Sequence, residues 1–207
     1  DKYYFEINDS LIGREMLMVT RIAKTAAGIG FGGGKQNTQV LRWQKKDSKI
    51  LLRVVSHNVV ANDSLPVSEA VVNSNFEPIL HSFKTLSYGK NSSVIDVTKL
   101  FTDDVKPLGF PQSRRKSYKI SSLDSKRSFI ESIKSYPINI EVRHVKTYRS
   151  SDPPSNSSVG AVSLEMNNSM ILLPKTPMKR RYFDQRVGWF ARSQVDYGLD
   201  VQESKSL

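Results

Sequence analysis

The sequence predicts a β-rich α+β fold, in which a mainly antiparallel sheet is accompanied by two or three short helices. Short runs of β-branched and aromatic residues recur along the chain, and most are bounded by the turn-forming residues Gly, Asn, Asp and Ser. Two of these runs flank a short polar stretch, as the strands of an antiparallel hairpin do. The chain has 207 residues, of which 38% are hydrophobic, so it can bury a substantial core. We therefore expect one β-rich domain over residues 1–207.

The first half of the chain contains five predicted strands. The hairpin joins Thr38–Trp43 to Ile50–Val55 through the polar residues 44–49. A capping Asp-Ser pair and a proline precede a short helix predicted over Val67–Val72. A turn or second short helix is predicted over Thr98–Asp104. The remaining strands of this half are predicted at residues 13–23, 76–88 and 93–97.

A break and a further helix are predicted next. Two prolines and a glycine interrupt the pattern, so we expect a loop or a subdomain boundary near residues 105–117. Downstream, apolar residues at positions 129, 130 and 133 follow a capping Asp-Ser pair. This spacing predicts a helix over Leu123–Lys134, which the dipeptide Tyr136-Pro137 ends.

A second hairpin is predicted after this helix. The segment Ile138–Tyr148 alternates apolar and polar residues with a period of two, which indicates a strand with one buried face. Turn-forming residues dominate positions 150–158 and separate this strand from further strands predicted at 161–166 and 170–173.

Composition excludes several classes of protein and of site. The chain has no cysteine, so it forms neither disulfides nor thiolate metal sites and has no cysteine nucleophile. No apolar run is long enough for a membrane helix, so we expect no membrane span. The net charge is +11, with local clusters of basic residues at 114–116 and 179–181. Neither cluster belongs to a known nucleic-acid-binding motif, so we do not expect nucleic acid as a partner.

The glycine-rich segment Gly28–Lys35 matches the spacing of a dinucleotide-binding fingerprint at Gly28, Gly30 and Gly33. That fingerprint holds a pyrophosphate only where a helix begins directly after it, and here residues 39–43 have the composition of a strand. A phosphate-binding loop is also disfavoured, because Gln36 stands where that motif requires Ser or Thr. We therefore expect a flexible loop between two strands.

The residues of a self-sufficient catalytic site are missing from the sequence. His57, His81 and His144 are scattered, and no His-Glu-x-x-His pair places two imidazoles on one helix face. No Gly-x-Ser-x-Gly elbow is present. We therefore predict no catalytic residue, no metal ligand and no cofactor in this chain.

The C-terminal region combines aromatic rings with arginines, which favours either a surface for protein, peptide or glycan, or ordinary aromatic-arginine packing. We take six residues as a candidate interaction surface: Arg180, Arg181, Tyr182, Arg186, Trp189 and Phe190.

Three segments, residues 121–144, 163–174 and 177–190, resemble a domain of unknown function found in large exported bacterial zinc-dependent metalloproteases. The strand over residues 14–24 and the hairpin over residues 40–55 are also similar to that domain. The resemblance covers most of the chain, and the segments keep the order of the family.

The resemblance implies a noncatalytic N-terminal accessory domain that docks on a metzincin-like catalytic domain and shapes or covers its substrate cleft. In that family the zinc-binding helix lies downstream of the segment that contains Arg186–Phe190, so zinc is expected only there. Residues 175–207 would then be an extended segment leading toward the catalytic domain. The resemblance also implies export to the periplasm or cell envelope, although residues 1–5 themselves have no signal-peptide pattern. The competing hypothesis is an independent protein-, peptide- or glycan-binding module of the cell envelope.

Overall fold

A computed structural model describes residues 1–179, 181–184, 186 and 192–198. It is rich in strands, as predicted. The strands are β1 (Tyr4–Asn8), β2 (Glu15–Lys24), β3 (Lys35–Lys46), β4 (Lys49–Val55), β5 (Val59–Val60), β6 (Ile79–Gly89), β7 (Ser92–Asp96), β8 (Ile120–Leu123), β9 (Phe129–Ser135), β10 (Asn139–Ser150), β11 (Ala161–Leu172) and β12 (Val195–Asp196). The described helices are α1 (Val67–Ser74), α2 (Thr98–Thr102) and α3 (Gln112–Arg115), with short 3-10 turns at 9–11, 106–108, 125–127 and 157–159.

Ten strands form one curled antiparallel sheet, in the order β1-β7-β6-β4-β3-β2-β11-β10-β8, with β9 also pairing with β10. Both predicted hairpins are confirmed: β3 pairs with β4, and β10 pairs with β11 over residues 139–149. The strand predicted near the N-terminus is β2, which lies in the middle of the sheet between β3 and β11. The N-terminal strands therefore belong to the same sheet as the rest of the chain.

Two groups of buried side chains hold the sheet together. The larger lies inside the curl and includes Leu41, Trp43, Leu52 and Val142, closed by Phe101 of α2. A smaller group includes Phe110, Tyr148 and Leu164, together with Ile22 of β2. The two groups correspond to the inward-facing positions of neighbouring strands, as the period of two predicts.

The helix predicted over Leu123–Lys134 is wrong. Residues 120–123 form β8, residues 125–127 form a 3-10 turn, and residues 129–135 form β9. The capping signal was real but local, because the Asp124 side chain accepts a hydrogen bond from the Lys126 backbone over only one turn. Pairing with β10 then provides more backbone hydrogen bonds than a short isolated helix keeps in water.

The glycine-rich loop joins two strands, as predicted. Strand β3 begins at Lys35, directly after Gly34, so no helix follows the loop. Gly28 has a positive φ of 81°, and a Cβ at this position would lie 2.9 Å from the Pro154 Cβ. The Gly33 backbone N–H donates to the Ile22 carbonyl at 2.7 Å. The glycines thus serve a tight turn that folds back on β2 and on the β10–β11 turn.

The predicted break at 105–117 corresponds to a compact crossing over the sheet. After α2, residues 103–118 contain a 3-10 turn and α3, and they place Leu108, Phe110 and Arg115 in buried positions. Within the part of the chain that the structure describes, no helix is long and apolar enough to cross a membrane.

Candidate functional site

The residues predicted as an interaction surface are only partly described. Arg181, Tyr182 and Arg186 are exposed, whereas Arg180, Trp189 and Phe190 lie outside the described residues. The Arg186 guanidinium binds the Asp184 carboxylate through two contacts, of 2.9 and 2.6 Å. This hydrogen bonding lowers the pKa of Asp184. An interaction role for these residues stays a prediction.

The chain beyond this segment returns to the body of the protein. Strand β12 pairs in parallel with β5, where the Val195 N–H donates to the Asn58 carbonyl and the Tyr197 N–H donates to the Val60 carbonyl, each at 2.9 Å. The Gln194 side chain adds a hydrogen bond to the His57 carbonyl. Residues 194–197 are therefore anchored at one position on the protein surface.

A groove of about 520 Å³ lies beside this anchor. Its floor is formed by β3 and β4, one wall by α1 and the residues that follow it, and β5 contributes Val59 to its lining. A volume of this size falls in the range of clefts that bind ligands. We call it the α1 groove, lined among others by Arg42, Trp43, Arg53, Val59, Val71, Val72, Phe76 and Glu77.

Helix α1 leaves apolar side chains uncovered along the wall of the α1 groove. The helix begins at Val67 after a proline, as predicted, but Pro66 itself is the N-cap and the predicted Asp or Ser cap is not formed. None of the eight residues of the helix is buried. The Val72 side chain is 67% exposed, and Phe76, just after the helix, is 77% exposed. Adjacent exposed apolar residues beside a cleft are typical of an interaction surface.

The floor of the α1 groove carries two arginines that face each other across β3 and β4. Arg42 and Arg53 are direct partners in the strand register. Arg42 forms an ion pair with the Glu77 carboxylate. Arg53 donates to the Glu77 backbone carbonyl at 2.6 Å and to the Gln44 side-chain oxygen at 2.8 Å, and it lies 4.7 Å from the centre of the Phe76 ring. The three contacts of Arg53 fix its side chain.

A second cluster of polar groups is buried on β10. His144, Lys146 and Tyr148 are alternate residues on one face of the strand, and each has no exposed surface. Lys146 Nζ donates to the Asp103 carbonyl at 2.7 Å, and the Tyr148 hydroxyl accepts from the Phe110 N–H at 3.1 Å. These bonds hold the 103–118 crossing on the sheet.

Burial shifts the pKa values of this cluster strongly. It lowers the pKa of Lys146 to about 8 and raises the pKa of Tyr148 to about 12. Burial also lowers the pKa of His144 to about 3, helped by the nearby Lys146 charge. Shifted pKa values mark functional sites only where a substrate can reach them. Here the shifted groups have no exposed surface and are bonded within the fold, so we assign them a structural role.

The alternation along β10 is the one local signal in the sequence for this cluster. The alternation that predicts a buried face for residues 138–148 places His144, Lys146 and Tyr148 on the same face as Val142. Buried polar groups need partners. The partners of Lys146 and Tyr148 come from residues 103–110, which no local pattern connects to β10, and the partner of His144 is Asn168 of β11.

We expect His144 to make stability fall as the solution becomes acidic. The Asn168 side chain donates to Thr20 at 2.7 Å, so its oxygen accepts from His144 Nε2, and Nδ1 has no partner among the described groups. The folded state therefore resists protonation of His144, while the unfolded state accepts a proton near pH 6.5. The contribution of neutral His144 to stability is complete above pH 6.5. The free energy of unfolding should be lower by about 2 kcal/mol at pH 5.

Urea unfolding between pH 7 and pH 5 measures this effect. His144→Gln should remove most of the change in the free energy of unfolding between pH 7 and pH 5, because glutamine does not titrate. Its side-chain amide can still donate to Asn168. His57→Gln is the matched control, since His57 is exposed and contacts Glu15 at 3.0 Å. Equal slopes in the His144→Gln variant and the wild type would contradict the prediction.

His81 and Glu165 have contacts within the fold. His81 stacks on Phe83 with ring centres 4.4 Å apart. The Glu165 carboxylate, 7% exposed, is held between Lys24 at 2.6 Å and Arg143 at 3.2 Å. Among the described residues, no group of three or more His, Asp or Glu side chains is arranged to hold a metal ion.

Two family models match this chain, and both describe domains of unknown function. The model of DUF5118 matches residues 1–25, and the model of DUF5117 matches residues 33–207. No curated protein and no solved structure matches the chain. The recognition of a domain of unknown function is thus confirmed at the level of the family. Since the second match covers far more than half of the sequence, the chain belongs to the DUF5117 family of domains of unknown function.

Proposed function

We propose that this chain is a noncatalytic accessory domain that docks on the zinc-dependent catalytic domain of a metalloprotease-like protein and shapes or covers its cleft. The sequence resemblance of residues 121–144, 163–174 and 177–190 supports the link to proteases. In the proteins it resembles, the catalytic domain lies downstream of the third segment.

The observation that carries the proposal is the pairing of β12 with β5. An anchored segment restricts where the next domain can lie, because linked surfaces have a higher effective concentration than separate ones. The anchor at residues 194–197 lies beside the α1 groove, since Val59 takes part in both. A downstream domain would therefore meet the exposed side chains of Val72 and Phe76.

The distribution of polar groups also supports an accessory role. The most strongly shifted titratable groups, on β10, are bonded inside the fold and have no exposed surface. The exposed groups of the α1 groove combine apolar area with arginine, a composition that interfaces favour. Export to the periplasm or cell envelope belongs to the same proposal and has only the resemblance behind it.

The first test is the length of the natural product and its zinc content. We expect a longer protein with a His-Glu-x-x-His segment downstream, and deletion of residues 1–174 from it should reduce both protease activity and the stability of the zinc domain. An unaffected protease, or a native product that ends at Leu207, would refute the proposal.

A point substitution tests the docking surface. In the longer protein, Val72→Lys should lower protease activity about thirtyfold or more, because a charge in the centre of an interface costs about 2 kcal/mol or more. Val159→Lys is the matched control, since Val159 is 60% exposed on the β10–β11 turn and receives the same charge. Equal activity of the two variants would exclude docking through the α1 groove.

A further inference from the structure

We propose that the α1 groove binds an extended peptide segment in which an Asp or Glu side chain lies next to an apolar side chain. The carboxylate would bind Arg53, and the apolar side chain would pack on Val72 and Phe76. This inference deepens the proposed docking, because it names the chemistry of the segment that the same groove would bind, and it is tested on this chain without a protease domain.

The charges in the groove are unbalanced in favour of an anion. Arg42 and Arg53 lie directly opposite each other, an arrangement that destabilises a strand pair unless an anion compensates it. Glu77 supplies one carboxylate, and it pairs with Arg42. In the described ranges, no carboxylate lies within ion-pair distance of Arg53, whose hydrogen-bond partners are neutral oxygens. The site contains two guanidinium groups and one carboxylate.

Arg53 is prepared to receive the second carboxylate. Its Nε donates to the Gln44 side-chain oxygen, and one terminal nitrogen donates to the Glu77 carbonyl. The N–H groups of the other terminal nitrogen are left to donate to a ligand. The stack on the Phe76 ring fixes the plane of the guanidinium at the groove. A side chain that is already ordered loses little entropy on binding, so its charge-assisted hydrogen bonds contribute more to affinity.

The apolar part of the ligand has a matching surface next to Arg53. Phe76 touches the Arg53 guanidinium with its ring and is otherwise exposed, and Val71 and Val72 continue the wall along α1. The lining is more apolar than polar, and the groove opens to solvent. An extended chain can therefore lie in it with successive side chains on the arginine and on the apolar wall. A free inorganic anion would leave the wall uncovered.

The test is a fluorescence-anisotropy titration of the chain with a short fluorescein-labelled peptide of alternating Leu and Glu. The probe with Gln in place of Glu is the paired ligand. We expect saturable binding of the Glu peptide, and at least tenfold weaker binding of the Gln peptide. Arg53→Gln should weaken binding of the Glu peptide by about tenfold or more. Phe76→Ser should weaken the binding of both peptides.

Arg149→Gln is the control for general attraction by the positive chain. Arg149 is an exposed arginine on β10, away from the α1 groove in the sheet order, and its substitution removes the same charge. Thermal unfolding of each variant verifies that the fold is kept, as expected for changes at residues that are not buried. Equal losses in Arg53→Gln and Arg149→Gln, equal affinity for the two peptides, or no saturable binding would each overturn the proposal.

Discussion

Removal of residues 1–25 should abolish folding of the remaining chain. These residues match one family model and residues 33–207 match another, yet β2 is a central strand of the common sheet. It pairs with β3 from Glu15 to Arg21 and with β11 from Met16 to Lys24. Without β2, both neighbours would expose a full edge of unpaired backbone groups.

The loss of buried apolar area should be as severe as the loss of pairing. Met18 and Ile22 of β2 are 1% and 2% exposed, and Phe5 and Ile7 of β1 belong to the larger core. Each such side chain contributes about 1.5–3 kcal/mol when it is buried. Together they approach the whole stability of a typical domain, about 5–15 kcal/mol.

Circular dichroism and amide NMR spectra of residues 26–207 test this expectation. The truncated chain should lack a cooperative unfolding transition, and a synthetic peptide of residues 1–25 should restore it when added. The same peptide with Met18→Asp and Ile22→Asp is the control, because it keeps the length but cannot enter the core. A truncated chain with the dispersed spectrum of a folded protein would show that the two matched regions are independent.

The same strand shows what the sequence could predict and what it could not. Local composition predicted β2 and both hairpins, because strand propensity and turn chemistry are local properties. Its place between β3 and β11 depends on residues more than a hundred positions apart, and no local pattern encodes that pairing. The fold class was therefore predictable, whereas the sheet order was not.

The predicted helix over residues 123–134 failed for a related reason. Phe129, Ile130 and Ile133 have a spacing that suits a helix, but Ile130 and Phe129 are also adjacent strand positions. In the structure Ile130 faces the core, while Phe129 is 50% exposed. Tertiary pairing with β10 decided between two local possibilities.

The α1 groove shows the same limit at a candidate site. The sequence drew attention to the aromatic and arginine residues near the C-terminus, where the pattern is dense. Arg42 and Arg53 stand alone in the sequence and become partners only through the β3–β4 register, which also determines where Glu77 can reach. A register predicted for the hairpin would have paired Arg42 with Arg53. It would not have placed the Glu77 carboxylate beside them, because Glu77 follows α1 and lies outside the hairpin.

The ion pair between the buried Arg115 and the partly exposed Asp104 should be the most sensitive side-chain contact in the crossing over β10. Two hydrogen bonds of 2.6 Å join the carboxylate to the guanidinium, and Arg115 also donates to the Phe110 carbonyl at 3.0 Å. The Arg115 side chain is 7% exposed and the Asp104 side chain 34%. Asp104→Asn would leave a buried cation without its anion, a change that costs about 2 kcal/mol after allowance for the exposed part of Asp104.

Acid should weaken the same contact in the wild type. Hydrogen bonding from Arg115 lowers the pKa of Asp104 below its ordinary value of 3.8. As the pH falls below 3.8, the Asp104 carboxyl group therefore takes up a proton in the unfolded state while it is still charged in the folded state. This contribution is complete above pH 3.8 and is lost as the pH falls through the lowered folded value. The Asp104→Asn variant should lack this part of the acid dependence.

Urea unfolding at pH 7 tests whether the loss of stability in Asp104→Asn comes from the burial of Arg115 or from the loss of an ion pair alone. Asp152→Asn is the matched control, because its ion pair with Lys119 has a similar length of 3.0 Å but both side chains are more than 60% exposed. That variant should change stability by no more than about 0.5 kcal/mol. Adding Arg115→Met to Asp104→Asn should recover part of the loss, since the unpaired buried charge is then removed. Equal losses of unfolding free energy in Asp104→Asn and Asp152→Asn would contradict the prediction. The crossing would then be held on the sheet by apolar contacts, mainly those of Phe110, and not by the ion pair.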